Sequence, residues 1–113
     1  MIPVLALTDL QVSPTAARFE GRPSFGVELS FFVTNHPPGV GPELHFHPYS
    51  EVFLVQDGQA TFTVGDEQVT VSGGHVLTVP PNTHHRFENT GEAPLRVVGM
   101  HLNGEVVQTA VEA

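Results

Sequence analysis

Apolar residues recur at every second position along much of this chain, and short turn-forming clusters interrupt them at intervals of roughly ten residues. In Phe25–Thr34 the residues Phe25, Val27, Leu29, Phe31 and Val33 alternate with smaller or polar neighbours, as a half-buried strand requires. Asn35-His36-Pro37-Pro38-Gly39 ends that run, because proline removes a backbone donor and glycine relaxes the chain. Further strands are expected over Pro42–His47, Glu51–Gln56, Ala60–Val64, Gln68–Val71, Val76–Val79, His85–Glu88, Leu95–Leu102 and Glu105–Val107. Asp57-Gly58 and Gly65-Asp66-Glu67 supply hairpin turns. A short apolar piece over 4–12 and a linker over 21–24 precede these elements. No window sustains a helical period over about ten residues. The pattern predicts an all-β sandwich or barrel forming one domain over residues 1–113.

One strand pair is apolar on both sides. Leu44 and Phe46 oppose His45 and His47, and Val52 and Leu54 oppose Glu51 and Phe53. Both faces then need cover, from the N-terminal segment or from a second subunit, and a homodimer is expected.

Charge narrows the partners. Twelve acids face four arginines, Arg18, Arg22, Arg86 and Arg96, and there is no lysine, so the net charge is −8. Such a surface repels nucleic acid and anionic membranes, and no apolar run approaches the roughly 20 residues of a membrane span. The N-terminus carries no basic region or cleavage site of a signal peptide, and the chain has no cysteine. A cytoplasmic location is the expectation.

The candidate chemistry lies in two blocks, residues 39–58 and 74–89. His45, His47 and Glu51 share strand parity, so their side chains can face one interior. Imidazole and carboxylate are ligands of first-row divalent metals. In the second block His84 and His85 face opposite ways, and periodicity does not choose between them. His36, His75 and His84 read as ordinary hydrogen-bonded or surface residues. His101 has the parity of Leu95, Val97 and Gly99 and either lines an interior cavity or packs in the core. Glu43 reads as a solvated acid beside Pro42, with a carboxylate at a cavity mouth as the alternative. Phe31, Phe53, Phe62 and Phe87 are core residues or the walls of an apolar pocket. No Gly-x-Ser-x-Gly or phosphate-binding loop appears.

Gly39-x5-His45-x-His47-x3-Glu51-x6-Gly58 resembles the first motif of the cupin superfamily, and Gly74-x5-Pro80-x-Asn82-x2-His85-x3-Asn89 resembles the second. The one departure is Asn82, where the family has glycine; asparagine best tolerates the left-handed conformation glycine would supply. The resemblance implies a small jelly-roll-like β-barrel holding one divalent transition metal on His45, His47, Glu51 and His85. Iron or manganese is the first choice of metal, with zinc, nickel and copper as alternatives. Glu51 would be a ligand, a base, or both in turn. The function implied is a metal-dependent enzyme acting on a small organic molecule, a dioxygenase first, with isomerase or decarboxylase chemistry as alternatives. A non-catalytic sensor or carrier of metal and small ligand is the competing reading, since the fold hosts both.

Overall fold

The computed structural model describes residues 1–112. A single 3-10 turn at Leu7–Leu10 leads into β1 (Gln11–Ser13), β2 (Ala16–Glu20) and a five-residue helix, α1 (Gly21–Phe25). Strands β3 (Ser30–His36), β4 (His45–Phe46), β5 (Glu51–Asp57), β6 (Gln59–Val64) and β7 (Glu67–Ser72) follow. Then come β8 (His75–Val79), β9 (His85–Asn89), β10 (Leu95–His101) and β11 (Thr109–Ala110). One sheet runs β1-β2-β3-β10-β5-β8 and the other β11-β4-β9-β6-β7, with antiparallel pairing in both. This is a two-sheet, jelly-roll-like all-β fold. Hydrogen bonding runs within each sheet, and the two pack face to face.

The core forms where alternate residues of β5, β6, β9 and β10 meet between the sheets. Phe53, Val55, Ala60, Phe62, Val79, Phe87, Leu95 and Val97 are buried together there. The rings of Phe53, Phe62 and Phe87 lie 5.1–5.5 Å apart, within the range of favourable aromatic contacts. Asn82 adopts φ +58°, the left-handed backbone expected of it, and its N–H donates to the His47 carbonyl at 2.6 Å.

Several boundaries differ from the sequence pattern. The apolar piece over 4–12 is extended only at its end, and β2 was hidden because Ala16–Glu20 alternates poorly. Glu105–Val107 is irregular, and the last strand lies beyond it at Thr109–Ala110. The strand expected from Phe25 begins instead at Ser30, and its apolar parity points away from the core. Ser30, Thr34 and His36 are the buried residues of β3, whereas Phe31 stacks outside on Phe19 at 4.9 Å. Phe25, on α1, extends that outer stack at 5.7 Å from Phe19. Alternation reveals that one face is covered; the helix and β2 determine which.

Asn89 closes the turn after β9. Its Nδ2 donates to the carbonyls of His36 (3.0 Å) and Ala93 (2.8 Å), and its Oδ1 accepts from the Gly91 N–H (2.9 Å). Asn89→Ala should cost about 2–4 kcal/mol, because buried backbone groups lose partners. Urea denaturation measures this; a loss below about 0.5 kcal/mol would mean the turn is held by other contacts.

Candidate metal centre

The two sheets each contribute half of a buried cluster. β4 and β9 pair so that His45 lies opposite His85, while β5 and β10 pair so that Glu51 lies opposite His101. His47 follows β4 directly. All five side chains are buried. Each of β5, β9 and β10 therefore carries a polar residue at one end and core residues at the following same-face positions: Glu51 before Phe53, His85 before Phe87, His101 after Val97.

Backbone carbonyls set the orientation of three rings. Nδ1 of His45 donates to the Glu43 carbonyl at 2.6 Å, Nδ1 of His47 to Val107 at 3.0 Å, and Nδ1 of His85 to Thr83 at 2.8 Å. A carbonyl only accepts, so the proton of each neutral ring sits on Nδ1 and Nε2 is left as a lone pair. Those of His47 and His85 nevertheless lie 2.9 and 3.1 Å from Glu51 Oε1, itself an acceptor. Acceptor facing acceptor at that distance is stable only with a positive charge between them, a proton or a metal ion.

His101 has the opposite arrangement. Its Nε2 lies 3.1 Å from Glu51 Oε2, and its Nδ1 lies 2.6 Å from the Tyr49 hydroxyl. In the neutral ring Nε2–H donates to the carboxylate, and Nδ1 accepts from Tyr49. The Val107 N–H donates to the same hydroxyl at 3.1 Å. Gly99 lets the carboxylate sit here, since a Cβ at that position would stand 2.6 Å from Oε2.

Electrostatics agree with this arrangement. Burial pushes the Glu51 carboxyl up, but the hydrogen bond from His101, together with those that protonated His47 and His85 rings donate, outweighs it and holds the group well below the usual carboxylate range. Glu51 is thus a buried anion. Burial pushes His45 down to about 4, against the opposing effect of its bond to the Glu43 carbonyl.

The donor set fits a single divalent transition metal. One donor atom from each of His45, His47, Glu51 and His85 lies within 4.8 Å of the others. Opposite donors around an ion with bonds of about 2.1 Å stand roughly 4.2 Å apart, so small adjustments suffice. Three imidazoles and one carboxylate, without sulfur, suit iron, manganese, nickel, copper or zinc.

The structure brings together the four residues singled out in the sequence and adds Tyr49, His101 and the Val107 backbone. His84 is exposed and stacks on Phe46 at 5.1 Å, and His75 is exposed at the start of β8, its Nδ1 donating to the Ser72 carbonyl. The Glu43 side chain is exposed, and its carbonyl rather than its acid serves the cluster. The parity of His101 was the one available signal for its inclusion. Nothing local pointed to Val107.

Comparison with known proteins agrees with the fold. The cupin domain, as a family, matches residues 32–101. An uncharacterized protein of Methanocaldococcus jannaschii is 32% identical over 74 residues, which cover 65% of this chain and 59% of that protein. Tetracenomycin polyketide synthase protein TcmJ of Streptomyces glaucescens is 36% identical over 62 residues, covering 54% and 42%. Among solved structures, Bacillus subtilis oxalate decarboxylase, studied for its Mn(II) centres, superposes with a TM-score of 0.83 at 21% identity, over 93% of this chain and 31% of that one. The formate complex of Lactobacillus farciminis oxalate decarboxylase gives 0.79 at 21%, over 92% and 34%. The chain thus spans about half the length of these curated relatives and a third of the decarboxylases. At such identity the decarboxylases share its fold.

His45 generates a pH dependence. A histidine in the unfolded chain titrates near 6.5, while folding holds this ring at about 4, so the unfolded state binds the extra proton between those values. The metal-free protein should lose stability as pH falls through that window, by up to about 3 kcal/mol from this residue. His45→Gln should flatten the curve of unfolding free energy against pH between 6.5 and 4. An unchanged slope would show that the ring is not held neutral.

Proposed function

This chain belongs to the cupin family, and from that premise we propose that it is a metal-dependent enzyme acting on a small organic molecule. The carrying observation is the inward convergence of three Nε2 lone pairs on one buried carboxylate, beside a cavity of about 320 Å³. His45, His47 and His85 would hold the metal by Nε2, and Glu51 by Oε1. Iron and manganese are the first choices, a reading supported by the Mn(II) centres of the Bacillus subtilis enzyme that shares the fold. The metal supplies Lewis acidity and, if it is iron or manganese, one-electron redox chemistry.

We read Glu51 as a ligand in preference to a base. Its Oε1 faces His47 and His85, and its Oε2 accepts from His101, so neither oxygen is free to take a substrate proton without breaking a buried contact. Tyr49 and His101 keep that carboxylate in one orientation. Phe53 and Phe87 give the cavity beside the cluster an apolar wall. Decarboxylation stands beside dioxygenation as the reaction class, on the strength of the oxalate decarboxylases that share the fold.

The test joins metal content to turnover. His47→Ala should lower metal affinity at least about tenfold and abolish turnover, while His84→Ala should leave both unchanged. Oxygen uptake and carbon dioxide release, followed with iron-, manganese- and zinc-loaded protein across enols, diols and keto acids, separate the two reaction classes. Metal binding with neither signal for any substrate would leave a binding module.

A homodimer is proposed on the outer surface. Ile2, Val4 and Val76 are 85%, 88% and 61% exposed, and the N-terminal segment leaves the outer faces of β5 and β8 partly open. A second copy would cover them. Sedimentation equilibrium should give twice the 12.2 kDa chain mass; a monomer at micromolar concentration would end this reading.

A further inference from the structure

The family match ends at His101, yet the residues that follow it bear on the site. Residues 102–110 run from the end of β10 to β11, which pairs with β4 so that Thr109 lies opposite Phe46 and Ala110 opposite His45. The stretch is pinned along its length. Leu102 N–H donates to the Ser50 carbonyl (3.2 Å), the Gly104 carbonyl accepts from the Arg22 N–H (2.9 Å), and the Val106 N–H donates to Glu20 Oε2 (2.9 Å). Val107 turns both of its backbone groups to the cluster. Its carbonyl accepts from His47 Nδ1, and its N–H donates to the Tyr49 hydroxyl. None of Tyr49, His101 and Val107 occupies a fixed position of the two sequence motifs.

The direction of the hydrogen bonds from Val107 to Glu51 is set at both ends. A backbone N–H only donates, and an ionised carboxylate only accepts. Between them stand the Tyr49 hydroxyl, 3.1 Å from the Val107 nitrogen, and the His101 ring. That ring lies 2.6 Å from the hydroxyl through Nδ1 and 3.1 Å from Glu51 Oε2 through Nε2. The hydroxyl accepts from Val107 and gives its single proton to Nδ1, which leaves the ring proton on Nε2, facing Oε2. With both ring nitrogens protonated, the hydroxyl would accept twice and its own proton would have no partner among the described residues. His101 is not one of the four residues whose donor atoms lie within 4.8 Å of one another. The two oxygens of Glu51 are therefore unlike: Oε1 faces His47 and His85, and Oε2 faces His101. Carboxylates ligate metals through one oxygen or both, and a donor held on Oε2 selects the first.

We propose that residues 102–110 are a positioning strap for the metal centre. Val107 fixes His47 through its carbonyl. Through its N–H, Tyr49 and His101, it keeps Glu51 Oε2 as a hydrogen-bond acceptor, so that Oε1 alone is offered to the metal. This rests on the metal reading above and adds the residues that set how Glu51 binds. Tyr49 and His101 are positioning residues, acting through Glu51. Without the His101 donor, Oε2 is free to turn to the metal as a second ligand atom.

The test uses zinc-loaded protein with isotopically labelled histidine, zinc content being measured in every sample. Long-range nitrogen–proton correlation spectra tell the two neutral ring forms apart. His101 should carry its proton on Nε2, and His45, His47 and His85 theirs on Nδ1. Infrared difference spectra between zinc-loaded and metal-free protein read the separation of the two carboxylate stretches, wide when one oxygen binds and narrow when both do. The separation should be wide in the unmodified protein and narrow in His101→Phe, which keeps a ring and removes the donor. His101→Gln, whose amide donates, should restore the wide separation. Tyr49→Phe and Val107→Pro, which each break the chain of donors, should narrow it part of the way, while Val107→Ala, which keeps the N–H, should leave it unchanged. A proton on Nδ1 of His101, a narrow separation in the unmodified protein, or no narrowing in His101→Phe overturns the proposal and leaves the metal reading standing. No narrowing in Tyr49→Phe and Val107→Pro overturns the strap's part in it. Should zinc fail to bind, the metal reading falls and the strap's role falls with it. Should His101→Phe fail to fold, the proton position and the stretch separation of the unmodified protein still decide.

Discussion

A buried carboxylate set among imidazole rings is the constraint around which this fold is arranged. Glu51 is 3% exposed and ionised, and a buried anion persists only with compensating charge and hydrogen bonds. Every nearby backbone choice serves that requirement. The carbonyls of Glu43, Thr83 and Val107 turn three rings so that their lone pairs face inward. Gly99 leaves room for Oε2, and the Tyr49 hydroxyl holds His101 as a donor to it. Removing the positive centre would leave acceptors facing one another across about 3 Å.

The same alternation that builds the site builds the core beneath it. On β5, Glu51, Phe53 and Val55 share a face; on β9, His85, Phe87 and Asn89 do; on β10, His101, Gly99, Val97 and Leu95 do. Polar ligands therefore stand at one end of these strands and large apolar side chains further along the same faces. Strand pairing brings His45, Glu51 and His85 together, and His47 follows β4 directly.

The scaffold is shared with oxalate decarboxylases at 21% identity. In this chain the cavity beside the cluster is walled by Phe32, Phe53, Phe87 and Val97 together with polar residues such as Thr34 and Gln108, and none of the four arginines lines it. A common backbone does not fix which side chains line a cavity.

The residue pattern alone determined that the chain is all-β, that His45 and His47 share a face, and that Asn82 can take a glycine's place in its turn. Those properties are local, following from the two-residue period of strands and from backbone sterics. Tertiary structure decided the rest. The pairing of β4 with β9 brings His85 inward and leaves His84 outside, although the two are adjacent in sequence. The pairing of β10 with β5 brings His101 against Glu51 across fifty residues of chain. On β3 the apolar alternation was legible, but Phe31 faces outward onto Phe19 and His36 faces the cavity. Period fixes which residues point the same way within a strand. Which way is inward, and which strand lies next to it, is set by contacts between segments far apart in the chain.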